Sequence, residues 1–156
     1  MDTSSAHKQR HVKPLAPLLA KERESNQTSS EQASGPLRRP QITTKPWGYE
    51  ELWALTDTYA AKVLFVRRGE KLSLQYHETK EETLRVMRGA MLLDIEVDGE
   101  LRMQHMIESE CVHIPPNTTH RIEAVTDCWI IETSSTELDD VVRLEDKYGR
   151  IGGNDV

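Results

Sequence analysis

From Leu52 onward the sequence consists of short runs in which apolar and polar residues alternate, which leaves few folds open to it. Such runs are typical of half-buried β-strands, because successive side chains of a strand point to opposite faces. Asp98-Gly99 separates two of these runs, and this dipeptide is a strong signal of a two-residue hairpin. Further turn signals are Arg68-Gly69, Pro115-Pro116-Asn117 and Thr126-Asp127. Many short strands with regular turns predict an antiparallel sandwich or barrel.

Residues 1–43 have a different composition, rich in Ser, Gln, Lys and Pro, without a helical or strand period. Such a segment buries too little apolar surface to offset the entropy lost on ordering. At 156 residues the chain is long enough for one core but not for two. We therefore predict a disordered N-terminal tail at 1–43, one folded domain at 44–150 and a C-terminal tail at 151–156. Within the domain, ELDDVVRLEDKYGR is expected to form a turn of helix or an extended strap.

Charge and cysteine usage exclude several classes of partner. Residues 41–156 contain 13 Lys and Arg against 22 Asp and Glu, so we predict no nucleic-acid surface, which needs a clustered basic face. No segment approaches the roughly 20 apolar residues of a membrane span, and PLAPLLA at 14–20 is too short for a secretory leader. Cys111 and Cys128 lack a CxxC spacing. We expect reduced thiols and a cytoplasmic protein without membrane association.

The stretch KLSLQYH at 71–77 divides polar and apolar residues between the two faces of a predicted strand. The polar side has Lys71, Ser73, Gln75 and His77, and the apolar side has Leu72, Leu74 and Tyr76. The polar side either lines a cavity or faces solvent, and the alternation alone does not distinguish these. Because an apolar outer face must be covered, we predict a homodimer that buries the apolar side.

The spacing of residues in two segments favours the cavity. Gly69 is followed by Gln75, His77, Glu82 and Gly89, and Ser109 is followed by Pro115, Asn117 and His120. This spacing resembles the two cupin motifs, G-x5-H-x-H-x3–4-E-x6-G and G-x5-P-x-G-x2-H-x3-N. In cupins, His and Glu side chains from adjacent strands bind one divalent metal inside a small jelly roll. The resemblance implies an all-β, single-domain cupin jelly-roll barrel.

The resemblance also implies four ligands for one divalent metal ion: Gln75, His77, Glu82 and His120. Gln75 stands where the first His of the motif is usual, so the donors would be two nitrogens and two oxygens. Zn fits this set best, with Mn, Fe, Co and Ni as alternatives. Ser109 and Asn117 replace glycines of the motif, and Asn tolerates the left-handed conformation that glycine adopts there.

Longer stretches narrow the resemblance to one kind of cupin. KPWGYEELW at 45–53, GEKLSLQYH at 69–77, IPPNTTHR at 114–121 and DDVVRLEDKYGR at 139–150 resemble the cupin module of type II mannose-6-phosphate isomerases. Such modules stand alone or are fused to mannose-1-phosphate guanylyltransferases. The resemblance implies an isomerase that interconverts the aldose and ketose forms of a sugar phosphate. A metal ion would polarise the C1 and C2 oxygens and stabilise the enediolate.

Three residues are candidates for the catalytic work. Lys71, on the polar side of the predicted strand, would bind the phosphate or pair with a glutamate of the barrel. Lys80, two residues before Glu82, resembles the Lys or Arg that precedes the ligand Glu in the isomerases; the alternative is a solvated turn lysine. Glu132, on a late strand, is the candidate base. Arg143 would either clamp the phosphate or tie the C-terminal segment down.

Two other functions stay open at this point. Where the fused enzymes commonly read QYHHHRAEHW, this chain reads QYHETKEETL. The loss of the His-rich stretch suits a non-catalytic sugar-binding or regulatory cupin, and the same ligand set also supports a metal-dependent cupin oxygenase. Zinc with isomerisation, sugar binding without turnover, and iron with O₂ uptake would separate the three.

Overall fold

The computed structural model describes residues 39–151, and its regular structure is entirely β. None of the described residues is helical, as the alternating runs predicted. Short turns connect most of the strands. The strands are β1 Gln41–Lys45, β2 Gly48–Leu55, β3 Ala60–Val66, β4 Leu74–Tyr76, β5 Glu82–Arg88, β6 Ala90–Val97, β7 Glu100–Ile107, β8 Cys111–Ile114, β9 His120–Ala124, β10 Cys128–Ser134 and β11 Val142–Glu145.

The strands form two sheets in which neighbouring strands are antiparallel. The six-stranded sheet has the order β1-β2-β3-β10-β5-β8, and the five-stranded sheet has the order β11-β4-β9-β6-β7. Strands far apart in sequence are neighbours, with β10 between β3 and β5. This arrangement is the predicted jelly roll, and it brings the beginnings of β5 and β9 towards the end of β4.

The hairpin predicted at Asp98-Gly99 joins β6 to β7. Val97 pairs with Glu100, which leaves two residues in the turn. Asp98 has φ 55° and Gly99 has φ 78°. Positive φ at both central residues is the requirement of a type I′ turn, whose twist matches that of the flanking strands. The sequence signal is therefore confirmed in its local geometry.

Inward-facing side chains of both sheets enclose one hydrophobic core. On β5, Leu84 and Val86 are 1% and 0% exposed, whereas the alternate residues Thr83 and Arg85 are exposed. Ile122 of β9 and Ile130 of β10 reach the same core from neighbouring positions. The period of two thus places one half of each strand in the core, as expected for a sandwich of half-buried strands.

The segment before β4 departs from the predicted alternation. The strand begins only at Leu74, and Lys71 makes an isolated bridge with Glu123. Leu72 donates its N–H to the carbonyl of Ile122 at 2.9 Å and packs against the core. The period of two does not extend back to Lys71, because the backbone there is not a continuous strand. With Leu74 buried and Leu72 packed against the core, this face gives no reason for a dimer.

The C-terminal stretch is an extended strap rather than a helix. Its strand β11 pairs with β4 at the edge of the five-stranded sheet, where Arg143 lies opposite Gln75. The predicted boundary after residue 43 falls inside β1. Residues 1–38 of the predicted tail, and residues 152–156, lie outside the described residues.

Two residues that replace motif glycines have the backbone conformation expected of glycine. Ser109 has φ 76° and Asn117 has φ 59°. Both therefore occupy the left-handed region, which favours glycine and, among other residues, asparagine. The N–H of Asn117 donates to the carbonyl of His77 at 2.7 Å, so this turn is tied directly to the end of β4.

Candidate metal centre

Three strand ends bring His77, Glu82 and His120 together. His77 directly follows β4, Glu82 begins β5 and His120 begins β9. Each is at most 5% exposed, and one ligand atom from each lies within 4.8 Å of the others. Three of the four residues predicted as metal ligands thus converge in one buried group, which we call the His–Glu–His cluster.

Both imidazole rings of the cluster are oriented through Nδ1. His77 Nδ1 donates to the carbonyl oxygen of Asp140, and His120 Nδ1 donates to that of Thr118 at 2.9 Å. The two Nε2 atoms then lie 3.8 Å and 3.1 Å from the carboxylate oxygens of Glu82. Nε2 of His77 is buried and has no hydrogen-bond partner among the described residues. Histidines that bind metals usually donate their other ring N–H to a carboxylate, a backbone carbonyl or a water, as both rings do here to a carbonyl.

Lys80 is buried beside the cluster rather than solvated. Its ammonium nitrogen lies 2.5 Å from Oε2 of Glu82 and 2.8 Å from Oε1 of Glu132. Lys80 is 5% exposed and Glu132 is 7% exposed. Two of the three predicted catalytic residues therefore belong to one buried network that includes the predicted ligand Glu82.

The charges of this network shift the pKa values of its members. Burial would lower the pKa of Lys80, but the charges of Glu132 and Glu82 raise it well above its ordinary value. Burial would likewise raise the pKa of Glu82, but the hydrogen bond with His120 and the charge of Lys80 hold it below its usual range. Burial and the charge of Lys80 lower the pKa of His77. The network thus favours an ionised Glu82, a protonated Lys80 and a neutral imidazole at His77, the form that binds metals.

The donor set fits a divalent metal ion. Beside the cluster, a void of about 20 Å³ is bordered by Gln75, Glu82 and His120 but not by His77. That volume is enough for a single water or ion. Two imidazole nitrogens with a carboxylate are ligands common to Zn, Mn, Fe, Co and Ni sites. The unpartnered Nε2 of His77 is a donor that an ion would satisfy.

Gln75 stands at the right place for the fourth ligand. It pairs with His120 across β4 and β9, and its side chain borders the same void. Its Oε1, the atom that would bind a metal, accepts a hydrogen bond from Ser73 Oγ at 2.6 Å. A carbonyl oxygen has a second lone pair, so this bond orients the amide without using its full capacity. The role of Gln75 as a ligand stays a prediction.

A larger cavity of about 550 Å³ opens beside the cluster. Four residues singled out from the sequence line it: Gln75, His77, Lys80 and Glu132. Four further cations lie on its wall: Lys45, Lys62, Arg143 and Arg150. Lys71 is not among the lining residues, whereas Leu72 is. The predicted face of Lys71 was therefore wrong, and the structure brings Lys80 and Glu132, but not Lys71, to the cluster.

The family model described as "Mannose-6-phosphate isomerase C-terminal" matches residues 37–146 of the chain. This span contains the His–Glu–His cluster, Lys80 and Glu132, and it exceeds half of the chain. The chain belongs to this family.

Curated relatives carry this mannose-6-phosphate isomerase C-terminal unit within longer chains. A mannose-1-phosphate guanylyltransferase from Escherichia coli (strain K12) is 34% identical over 112 residues, which are 69% of this chain and 23% of the relative. The xanthan biosynthesis protein XanB of Xanthomonas campestris pv. campestris (strain ATCC 33913) is 31% identical over 111 residues, 68% of this chain and 23% of the relative. The chain therefore spans about a quarter of the length of the curated relatives it matches.

The isomerase C-terminal unit has the cupin fold. KdgF from Halomonas sp. has a TM-score of 0.55 at 23% identity, with 66% of this chain and 90% of that chain covered. An oxalate decarboxylase variant from Bacillus subtilis has a TM-score of 0.61 at 15% identity, with 67% and 30% covered. At these identities the likeness shows the fold alone. Within residues 39–151 there is also no helix of the length and hydropathy needed to cross a bilayer.

Asp140 is a site residue that the sequence did not reveal. The backbone carbonyl of Asp140 accepts the hydrogen bond from His77 Nδ1. Its carboxylate accepts hydrogen bonds from the backbone N–H groups of Glu78, Thr79 and Lys80 at 2.7–3.0 Å. These contacts fix the loop that contains Lys80, and the loop positions Lys80 next to Glu82. An Asp that caps a turn is usually found beside that turn in sequence. Here the donors lie about 60 residues earlier, so no local pattern indicated the contact.

Proposed function

We propose that the chain is a metal-dependent sugar-phosphate isomerase of the mannose-6-phosphate type, which interconverts an aldose and a ketose. The observation that carries the proposal is the buried His–Glu–His cluster, in which an unpartnered Nε2 of His77 faces the carboxylate of Glu82. The family to which the chain belongs supports the substrate class. The Escherichia coli relative named above is a mannose-1-phosphate guanylyltransferase of which this chain matches about a quarter, so it supports mannose-phosphate metabolism rather than one reaction.

Three residues would hold the metal ion, namely His77, Glu82 and His120, with Gln75 as the fourth ligand. Zn is the leading candidate, since two imidazoles and a carboxylate are a common set for it. When bound, such an ion acts as a Lewis acid that polarises the C1 and C2 oxygens of the sugar. Glu82 supplies the negative charge of the ligand set. The hydrogen bonds at both Nδ1 atoms fix the orientation of the two imidazole rings.

Glu132 would move the carbon-bound proton, and Lys80 would hold the two sugar oxygens between which the hydroxyl proton passes. Isomerisation moves one proton from C2 of the aldose to C1 and a second from the C2 hydroxyl to the C1 oxygen. Glu132 lines the cavity and is the carboxylate nearest to Lys80 apart from Glu82, so we assign it the carbon-bound proton. Lys80, kept protonated by its two carboxylate partners, would donate hydrogen bonds to the sugar oxygens.

The phosphate would lie against the cations of the cavity wall. Lys45, Lys62, Arg143 and Arg150 are all on that wall, whereas Lys71 is not. Phosphate carries two negative charges and accepts hydrogen bonds from Lys and Arg at close range. The contact predicted for Lys71 is therefore reassigned to this group.

The decisive experiment measures turnover of metal-reconstituted protein. Chain stripped of metal and reloaded with Zn, Mn, Fe, Co or Ni is assayed for the interconversion of mannose 6-phosphate and fructose 6-phosphate. Glu82→Gln should abolish turnover and lower metal content, while Glu123→Gln, outside the cavity lining on β9, should leave both unchanged. If none of the five metals gives turnover or binding of either sugar, the isomerase proposal is wrong. Turnover that survives Glu82→Gln would place the chemistry elsewhere.

A second candidate is a non-catalytic sugar-binding cupin, and the Lys80 contacts favour it. The ammonium group lies 2.5 Å from Glu82, so it already supplies a positive charge where a metal ion would otherwise do so. A protein of this kind would bind a sugar phosphate in the same cavity without a metal. Metal analysis of purified protein together with calorimetric titration of mannose 6-phosphate separates the two. Binding at full strength without metal and without turnover supports the second candidate.

A further inference from the structure

The outer side of the six-stranded sheet has an apolar surface that the site does not use. We call it the aromatic face and define it by Tyr49, Val63, Phe65, Trp129 and Ile131. Their neighbours along each strand, such as those on either side of Phe65 and Ile131, point inward into the core. Each of the five side chains is only partly covered by the rest of the chain. Residues paired across strands share a face, which places all five on the outside.

The members of the aromatic face contact one another in two rows. In the first row Tyr49 pairs with Phe65, and Phe65 pairs with Trp129; the ring centroids are 5.2 Å and 4.7 Å apart. In the second row Val63 pairs with Ile131. The two rows lie on the central strands β3 and β10 and on β2 beside them. Aromatic side chains contribute much of the energy of protein interfaces.

Charges of opposite sign frame the aromatic face on its two sides. Glu51 of β2 pairs with Val63, and Arg85 of β5 pairs with Ile131. Across four strands, the second row is therefore extended to Glu51, Val63, Ile131 and Arg85, which are acidic, apolar, apolar and basic in that order. In the first row Arg88 of β5 stacks on Trp129, with its guanidinium carbon 5.4 Å from the ring centroid. Neither Glu51 nor Arg85 takes part in an ion pair with another described residue.

We propose that a second copy of this chain covers the aromatic face in a two-fold symmetric dimer, with the axis parallel to the strands along the line between β3 and β10. A two-fold interface must be complementary to itself. This axis sets Glu51 opposite Arg85 of the partner subunit, and Val63 opposite Ile131 of the partner subunit. An axis perpendicular to the strands would set like charges together. The order acid, apolar, apolar, base thus selects one of the two arrangements.

The outer side of the six-stranded sheet, with the aromatic face at its centre, is large enough for a stable dimer. Six strands at a spacing of about 4.8 Å span about 24 Å, and the seven residues of β3 extend a similar distance. This gives roughly 600 Å² on each copy, which reaches the lower end of the range for specific interfaces. A membrane surface would leave the carboxylate of Glu51 in contact with lipid, which disfavours that occupant. The inference does not depend on the proposed isomerase activity.

Charge reversal tests the arrangement in the full chain by sedimentation velocity. Wild-type protein should be a dimer at about 10 µM. Arg85→Glu creates repulsion at two symmetry-related positions and should raise the dimer Kd at least about tenfold. The double variant Glu51→Arg/Arg85→Glu restores opposite charges and should return the Kd to within about threefold of wild type. Arg102→Glu on β7, in the other sheet, is the matched control and should have no effect.

Three outcomes of that experiment would overturn the proposal: a monomeric wild type, an unchanged Kd in Arg85→Glu, or no recovery in the double variant. A cross-link provides a second measurement, which does not depend on weakening the dimer. In a Cys111→Ser background, Glu51→Cys/Arg85→Cys places the two thiols about 14 Å apart within one chain, whereas facing sheets of two copies lie only about 10 Å apart. A short bis-maleimide that bridges facing thiols but not the pair within one chain should give a covalent dimer on a denaturing gel, and a monomer would contradict the arrangement. Cys111 is replaced because it pairs with Arg85 across β5 and β8.

Discussion

The two ends of the enclosed space are built from the same strands by different means. Along three strands the inward positions pass from polar to apolar: Glu82 to Leu84 and Val86 on β5, His120 to Ile122 and Ala124 on β9, and Glu132 to Ile130 and Cys128 on β10. At the apolar end, burial itself is favourable. At the polar end, each charged group requires a partner to offset the loss of water. The apolar end therefore stabilises the fold, whereas the polar end depends on its pairings.

The pairings at the polar end do not balance by themselves. Two carboxylates, Glu82 and Glu132, share the single ammonium group of Lys80. A divalent cation between Glu82 and the two imidazoles would supply the missing positive charge and satisfy Nε2 of His77. Since a ligand that binds only the folded state stabilises it, the stability of the polar end should follow metal concentration. That of the apolar end should not.

The largest expected effect comes from Lys80→Met at the polar end. Removing the ammonium group leaves two buried carboxylates without their partner, which should lower the free energy of unfolding of metal-free protein by about 3–5 kcal/mol. Saturating zinc should recover part of this loss. Lys62→Met, whose partner Glu50 lies 3.7 Å away, is the control and should cost much less. Urea unfolding with and without metal measures both, and equal losses in the two variants would show that the Lys80 pairings are not special.

A substitution at the apolar end should lower stability without affecting the metal. Met91→Ala removes a side chain that is 0% exposed and lies opposite Ala124, which should leave a cavity and cost about 2–5 kcal/mol. Below the melting temperature its zinc affinity should stay within about threefold of wild type, because Met91 does not contact the cluster. Thr83→Ala, at an exposed position, gives the baseline. A large loss of zinc affinity in Met91→Ala would mean that the two ends are coupled.

A smaller effect is expected from Asp140, which supports the cluster without belonging to it. Asp140→Ala removes the carboxylate that holds the loop of Lys80 but keeps the carbonyl that orients His77. Loss of such supporting contacts typically weakens metal binding by about 10–100-fold. Asp140→Asn, which retains one acceptor oxygen, should be intermediate, and the adjacent exposed Asp139→Ala should be neutral. Competition with a chromogenic chelator measures the affinities; wild-type affinity in Asp140→Ala would assign this residue to folding alone.

The smallest effect concerns pH. The pKa of His77 is lowered by burial and by the charge of Lys80, so the unfolded chain binds a proton at this residue more readily than the folded chain. As pH falls below about 6.5, the unfolded state gains protons first and the metal-free protein should lose stability, by at most about 1.4 kcal/mol per pH unit. Urea unfolding in a chelator at pH 7.5, 6.5 and 5.5 measures the slope. In His77→Gln the part of the pH dependence of stability that is due to His77 should disappear. An unchanged pH dependence would show that other groups cause it.

The sequence predicted the parts of this molecule that depend on short-range pattern. The hairpin at Asp98-Gly99 follows from turn chemistry, and the grouping of His77, Glu82 and His120 follows from motif spacing. The contact between Lys80 and Glu132 could not be predicted, because it depends on β10 lying beside β5. Those residues are 52 positions apart.

Other features were hidden because they depend on the backbone rather than on residue type. The face of Lys71 was predicted wrongly since the strand begins only at Leu74, and no residue in KLSLQYH indicates that late start. The hydrogen bond from His77 to Asp140 uses a main-chain carbonyl, which every residue has. Neither feature can be recognised from the residue types in the sequence.

The contact between the imidazole of His77 and the carbonyl of Asp140 also fixes an order of events during synthesis. On the ribosome, His77 emerges 63 residues before its acceptor. Until Asp140 has left the exit tunnel, nothing holds the ring in the tautomer that presents Nε2 to a metal. A nascent chain stalled before that point would already carry His77, Glu82 and His120, yet it would be poorly prepared to retain an ion. Metal loading of the cluster is therefore expected to follow the emergence of Asp140.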